Sequence, residues 1–458
     1  MDWIPTVSEW QGPMFLRIVD ALAADIASGR LLRGERLPTH RALASALDID
    51  LTTVTRAYGE ARRRGLLDAR VGQGTFVSET TARAASDLPS PVNIDLSMNL
   101  PPQPVEANLD LRIAQGLATI RSEAGFSAYL GYARPGGTAD EREVAASWLQ
   151  PRVPDASADR IVIYPGSQAI IFNALLSLTS PGDVVLTEAL TFPGVKAAAA
   201  RLDVRLVGVA MDAEGIRPDA LDEACRKHKP KAIYLVPTQQ NPTTTTMSAE
   251  RRKAVADIIR KRGCLLIEDD VYGPLEPQAA PIATLIPERT YLAASIAKCI
   301  APALRVAYLL APDADAEQRM RASMQATMQM PPSLMVALVT QWLRSGIAAE
   351  IIRAIRNEAA ARQQLATRFL KGVTYAARPA SHHIWMPLPK HFGGTDLLSH
   401  LMRNGLAVVG EDAFAVGDAA PRGLRVSLGA ARNRAELSQA LQVLSHAVRT
   451  PAGATQIV

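Results

Sequence analysis

Five short apolar runs, residues 160–164, 184–187, 231–236, 264–268 and 290–294, recur between amphipathic helical stretches. Nothing else in the chain constrains its fold as much. Apolar runs too short for helices read as strands buried on both faces. Strands separated by helices are joined by crossovers, which makes them parallel. The spacing predicts an α/β body on a mainly parallel sheet with helices on both faces. Ligands of such sheets gather at the carboxyl ends of the strands, and most polar motifs of this chain follow the runs directly.

The most informative motif is residues 295–305, Ser-Ile-Ala-Lys-Cys-Ile-Ala-Pro-Ala-Leu-Arg. Its only lysine, Lys298, stands in a run that is otherwise uncharged up to Arg305, seven residues on. Burial disfavours the charged amine and lowers its pKa, and a neutral amine can hold an aldehyde as a Schiff base. Arg305 offers a planar fork of donors suited to phosphate, and Ser295 adds a hydroxyl. An aldehyde and a phosphate on one small molecule suggest pyridoxal 5′-phosphate (PLP). Against this stands the common behaviour of lysines in apolar surroundings, which extend their amine to water.

The other motifs are individually weak. Gly166-Ser167-Gln168 opens a helix after a strand, a natural phosphate cradle. Phe192, in Phe192-Pro193-Gly194, can stack on a flat ring or sit in the core. Asn241-Pro242-Thr243 offers an amide to a phenolate oxygen, although Asn-Pro is also a common turn pair. Glu268-Asp269-Asp270-Val271-Tyr272 closes an apolar run. A carboxylate there can pair with a protonated pyridine nitrogen, while several acids in a row also suit magnesium. No phosphate-binding P-loop accompanies those acids.

The first eighty residues have another character. Phe15, Ile18, Val19, Leu22 and Ile26 recur at helical spacing. Thr39 can cap a helix from His40 to Leu47, and Asp50 can cap the next, over residues 51–64. Two short helices around a tight turn form a helix-turn-helix. The second opens with Thr52, Thr53, Thr55 and Arg56, short hydroxyls and an arginine able to reach bases and phosphates. Two strands around Gly72-Gln73-Gly74 read as a wing whose tip lies along a minor groove. Arginines and acids balance over residues 1–80, with a local basic surplus at Arg56, Arg62, Arg63, Arg64 and Arg70. That triplet also suits a solvated helix end.

This order resembles the winged helix-turn-helix of the GntR family. Leu37-Pro38, Arg41-Ala42-Leu43-Ala44, Thr53-Val54, Ala57-Tyr58, Gly65-Leu66-Leu67 and the stretch Gly72 to Val77 carry the likeness. The resemblance implies DNA contacts from Arg41, Thr52, Thr53, Thr55, Arg56, Gln73 and Gly74. Leu51 stands where the family usually has arginine.

From about Asp95 onward the motif order is similar to the fold type I aminotransferase superfamily of PLP-dependent transferases, which adds a small C-terminal α/β subdomain to the expected fold. The resemblance makes Lys298 the Schiff-base lysine and Asp269 the pyridine partner. Asn241 and Tyr272 would hold the ring oxygen and Phe192 would stack on the ring. Ser167, Gln168, Ser295 and Arg305 would bind phosphate. Tyr132, before Arg134-Pro135-Gly136-Gly137, would reach the phosphate in a neighbouring subunit. Arg425, in Gly423-Leu424-Arg425-Val426-Ser427, would grip a substrate α-carboxylate. Thr244 replaces the usual glycine after Asn-Pro-Thr, and Ala297 a frequent serine before the lysine.

The two halves together resemble the MocR subfamily of GntR regulators, whose arrangement is a head-to-tail homodimer. The domains expected are 1–78 for the DNA reader, 79–93 for a linker rich in serine, threonine and alanine, and 94–458 for the effector body. The resemblance implies a regulator that binds operator DNA and senses PLP or an amino compound reacting with it. An active aminotransferase carrying a DNA-binding appendage is the alternative.

Apolar content of 48% and charged content of 21% suit a globular chain, and no leader or long apolar span is evident, so a cytoplasmic location without membrane contact is expected. A net charge of +5 permits DNA binding without demanding it. Cys225, Cys264 and Cys299 lie far apart and read as buried thiols. The histidines lack metal-like spacing. His382 and His383 read as strand-end residues beside a pocket loop that bears on side-chain choice.

Overall fold

The computed structural model describes residues 3–7, 13–27, 30–32, 34–63, 66–70, 74–77, 94–388, 394–417 and 420–449. Gln73 and the expected linker, 79–93, lie outside them. The chain divides into two compact units, Met1–Pro91 and Val92–Val458.

The first unit holds three helices, α1 (Met14–Ala27), α2 (His40–Leu47) and α3 (Leu51–Arg63), then the antiparallel pair β1 (Leu67–Arg70) and β2 (Gly74–Val77). Both expected caps form. Thr39 Oγ1 accepts from Ala42 N (3.2 Å), and Asp50 Oδ1 accepts from Thr52 N (2.7 Å). Asp48 takes a left-handed conformation (φ 51°) after α2 and makes the tight turn. Leu43, Val54, Ala57, Tyr58 and Ala61 are buried in one core with Ile18, Val19 and Leu22 of α1. The Tyr58 hydroxyl donates to Pro38 O (3.0 Å), locking the helix pair.

The second unit is built on seven strands: β4 (Ile161–Tyr164), β5 (Val184–Glu188), β6 (Arg205–Val209), β9 (Ala232–Leu235), β10 (Leu265–Asp269), β11 (Thr290–Ser295) and β12 (Ala307–Leu310), with β3 (Ile94–Asp95), β7 (Met211–Asp212) and β8 (Gly215–Ile216) outside that sheet. The order is β4-β12-β11-β10-β9-β5-β6. Only β12 runs against the rest. Every residue of β4, β5, β9, β11 and β12 is buried, because helices cover both faces. That coverage is why these strands read as unbroken apolar runs.

A second small sheet follows, β13 (Ile384–Pro387), β15 (Val409–Gly410) and β16 (Gly423–Val426), while β14 (Leu406–Ala407) pairs in parallel with β3. This C-terminal subdomain packs around its own core of Leu397, Leu401, Leu424, Leu437 and Leu441. Pairing with β14 draws the first residues of the body, 94–100, into the subdomain, and this later positions Ser97 and Asn99. Among the described residues no single helix is long and apolar enough to cross a membrane.

Candidate functional site

Parallel strands end together, so β5, β9, β10 and β11 deliver Phe192, Asn241, Asp269, Tyr272 and Lys298 to one edge. With Ser167 they line one small pocket.

The three acids at the end of β10 have three separate fates. Glu268 is fully buried and accepts from Ile282 N and Ala283 N, both at 2.8 Å, with the Arg252 guanidinium 3.8 Å away. Asp270 is clasped by Arg152, whose Nη2 lies 3.2 Å from Oδ1 and whose Nη1 meets Oδ2. Only Asp269 faces the pocket. Its Oδ2 accepts from the Tyr234 hydroxyl (2.6 Å), while Oδ1 is buried without a partner among the described residues. Burial pushes this carboxyl up to about 6, against the opposing pull of the Tyr234 hydrogen bond, the backbone N–H of Val271 and the Lys298 charge. Such an oxygen awaits a donor.

Lys298 follows β11, and its Nζ donates to Asn99 O (2.5 Å). Burial brings its amine down to about 8, aided by the positive Arg425 and opposed by Asp269. The Tyr272 hydroxyl accepts from Asn99 Nδ2 (2.9 Å). Arg425 on β16 donates through Nη1 to Asn241 Oδ1 (2.9 Å) and through Nη2 to Ser97 O. Its guanidinium lies over the Phe414 ring, 4.9 Å from the centroid. Its Nε is buried and unpartnered among the described residues. Arg425 makes no ion pair there, so its positive charge is available to an anion. Because Arg425 occupies Oδ1, the Asn241 amide nitrogen is the end left to donate into the pocket.

At the other end, the helix Ser167–Leu178 starts after Gly166 (φ 98°) with no capping side chain, leaving first-turn N–H groups for an anion. A Cβ at Gly166 would collide with the Arg305 guanidinium, so only glycine lets that arginine approach. Arg305 itself is exposed and donates to Pro165 O (2.7 Å). Gln168 turns its amide to Gly194 O (2.9 Å). The buried Ser295 hydroxyl donates to Val306 O (3.3 Å) and accepts from Ala297 N (3.0 Å), and thus shapes the loop before Lys298. Tyr132 is 88% exposed and outside the pocket of its own chain.

In the reader, Arg56 is exposed and its guanidinium sits 4.0 Å from the Phe15 ring centroid. The Thr52 hydroxyl donates to the Asp50 cap (2.5 Å) and Thr55 Oγ1 to Leu51 O (2.9 Å). Arg41 and Gly74 are exposed, and Thr53 is half-buried.

Sequence reasoning missed Ser97, Asn99 and Tyr234, and took His382 and His383 as ordinary strand-end residues. Both histidines are buried against the site. His382 Nε2 lies 2.6 Å from Lys298 O, and His383 Nδ1 lies 3.0 Å from Asn99 Nδ2. No local pattern could have found Asn99, which is 199 residues from Lys298 in sequence.

Comparisons with known proteins agree with this architecture. Residues 92–444 match the family model "Aminotransferase class I and II", and residues 15–77 match "Bacterial regulatory proteins, gntR family". The chain is 31% identical to the HTH-type transcriptional regulator YdeF of Bacillus subtilis, over 97% of this chain and 96% of YdeF. It is 27% identical to the vitamin B6 salvage pathway transcriptional repressor PtsJ of Salmonella typhimurium, over 90% of this chain and 93% of PtsJ. The crystal structure of LysN, an α-aminoadipate aminotransferase of Thermus thermophilus complexed with N-(5′-phosphopyridoxyl)-L-leucine, superposes with a TM-score of 0.71 at 25% identity, covering 86% of this chain and 98% of LysN.

The cofactor that this family implies is PLP. The residues fit it, since an unpartnered carboxylate oxygen on Asp269, a buried low-pKa amine on Lys298 and an uncapped helix start face one pocket. With a gntR-type reader ahead of an aminotransferase-like body, the chain belongs to the class I and II aminotransferase family as a transcriptional regulator of the MocR type.

Proposed function

We propose that the body senses PLP, or an amino compound that reacts with bound PLP, and that occupancy changes how the reader engages operator DNA. Bound PLP supplies an aldehyde for amines and an electron sink. Lys298 would hold the aldehyde carbon, and Asp269 Oδ1 would take the pyridine N–H. Tyr272 and Asn241 would donate to the ring oxygen. Phe192 would cover the ring, while Ser167 and Arg305 would bind the phosphate, with Gln168 and Ser295 shaping the turns beside it. Arg425 would receive an effector carboxylate. The observation that carries this reading is Asp269 Oδ1, buried and without a partner of hydrogen-bond geometry among the described residues, in the same pocket as Lys298. PtsJ, named for vitamin B6 salvage, supports PLP itself as the signal.

Val105 (89% exposed), Leu130 (83%) and Tyr132 (88%) are large apolar or aromatic side chains left open to solvent. Apolar groups so exposed suit burial against a second copy, which would put Tyr132 in the partner's pocket. A homodimer also suits a reader of paired half-sites. The cytoplasm, where operator DNA and PLP meet, is the location this role requires.

The test is binding to DNA upstream of the protein's own gene, at two salt concentrations, with and without PLP. Specific binding that PLP shifts, with the shift lost in Lys298→Ala, is the expected result. Specific binding indifferent to PLP would refute PLP sensing. The complete set of Lys298, Asp269 and Arg425 also favours a second reading, an active aminotransferase. Turnover of an amino acid with a keto acid, without specific DNA binding, would make that primary.

A further inference from the structure

We infer that His383 and Asn99 are positioning residues that order the proton of Tyr272, so that its hydroxyl donates into the cofactor pocket. The inference rests on the reading above, that PLP occupies this pocket.

The ordering follows from one group that cannot donate. Gln240 O is a carbonyl, and His383 Nε2 lies 3.4 Å from it. That nitrogen therefore carries the proton, which leaves Nδ1 as an acceptor in the neutral ring. His383 is fully buried and held neutral, its pKa driven well below the usual value by burial, with Arg425 adding to the effect. Asn99 must then present its amide nitrogen to Nδ1, at 3.0 Å. Ser381 Oγ, 3.5 Å from the same nitrogen, is a weaker neighbour that gives its proton to His383 O at 2.9 Å. The second hydrogen of the Asn99 amide points at the Tyr272 oxygen, at 2.9 Å. An oxygen that accepts from an amide keeps its own proton for another partner. Among the described residues the Tyr272 hydroxyl donates to none, and the residue lines the pocket.

The opposite amide orientation would set Asn99 Oδ1 against Tyr272 and draw the hydroxyl proton away from the pocket. It would also demand a proton on Nδ1, turning the bare Nε2 toward a carbonyl. The backbone of Gln240 thus fixes the direction of the whole chain. The charged groups facing Tyr272 are Asp269, Lys298 and Arg425, and none of them takes part in it.

A hydroxyl donated to the ring oxygen stabilises its negative form, so it lowers the pH at which the bound cofactor's visible absorption changes. Asn99→Asp reverses the chain, since a carboxylate accepts the Tyr272 proton. The midpoint should rise by about one pH unit, with PLP affinity several-fold weaker by equilibrium titration. A new negative charge near Lys298 would raise the midpoint too, and Tyr272→Phe separates the two effects. In that background the part of the rise that passes through the hydroxyl should vanish. His383→Leu should raise the midpoint in the wild-type background. His383→Asn, which keeps an acceptor near the position of Nδ1, should raise it much less, and this pair carries the test if Asn99→Asp fails to fold. An Asn99→Asp midpoint equal to wild type, a rise of equal size with Tyr272→Phe present, or indistinguishable His383 variants would overturn the inference. A wild-type protein with no borohydride-reducible band would instead refute the cofactor reading beneath it.

Discussion

Replacing Lys298 with methionine should stabilise the cofactor-free protein at neutral pH. The amine ordinarily releases its proton near 10.5, and burial brings Lys298 down to about 8. Between these values the unfolded chain holds a proton that the folded one has released. Wild-type stability therefore climbs as pH rises from about 8 to about 10.5, and below 8 it carries the full penalty. At ~1.4 kcal/mol per unit the penalty is roughly 3 kcal/mol. Methionine has similar reach and no charge to desolvate. It forfeits the hydrogen bond from Nζ to Asn99 O, which is worth about 1 kcal/mol. The difference favours the variant by ~2 kcal/mol at pH 7 and reverses above the ordinary lysine range. Urea denaturation of PLP-stripped wild type and Lys298→Met at pH 7 and pH 10 measures it. A variant less stable than wild type at pH 7 would show that the amine is well solvated or paired in the fold, and the argument for a primed nucleophile would fail. Lys298→Met should also bind no PLP that borohydride can fix.

Arg56→Ala should weaken operator binding about tenfold and lower the salt dependence by about one released counterion. Phe15→Leu removes the ring beneath that guanidinium without removing charge, so affinity should fall only a few-fold and the salt slope should hold. Gel-shift titrations at several salt concentrations distinguish the two, and equal slopes for all three proteins would remove Arg56 from the interface. Thr244 is buried with φ 63° where the resemblance expects glycine. A β-branched residue there costs about 1–2 kcal/mol, partly offset by the freedom glycine adds to the unfolded chain. Thr244→Gly should therefore be neutral or stabilising by up to about 1 kcal/mol in urea denaturation, and a loss above 2 kcal/mol would show that its side-chain packing outweighs the strain.

The sheet was legible in the sequence because burial on both faces leaves strands no polar positions, so β4, β5, β9 and β11 announce themselves as apolar runs. The helix starts of the reader were legible for a local reason as well, since Thr39 and Asp50 cap backbone groups two or three residues away. Apart from Arg425, which the resemblance supplied, the site was legible where its groups sit directly after those runs. Nothing local separates Asp269 from Glu268 and Asp270. Their partners decide the matter, and Arg152 lies 118 residues from Asp270. His383 shows the limit more sharply. Its chemistry depends on Asn99, 284 residues away, and on the direction of the Gln240 carbonyl. A histidine type in a sequence carries neither fact. Groups that touch a ligand fall at positions set by strand geometry, whereas groups that set their protonation are recruited from wherever the chain returns. In this protein that return is made by residues 94–100, held by the pairing of β3 with β14. Ser97 and Asn99 reach Arg425, Lys298 and Tyr272 together because one short strand pair carries them there.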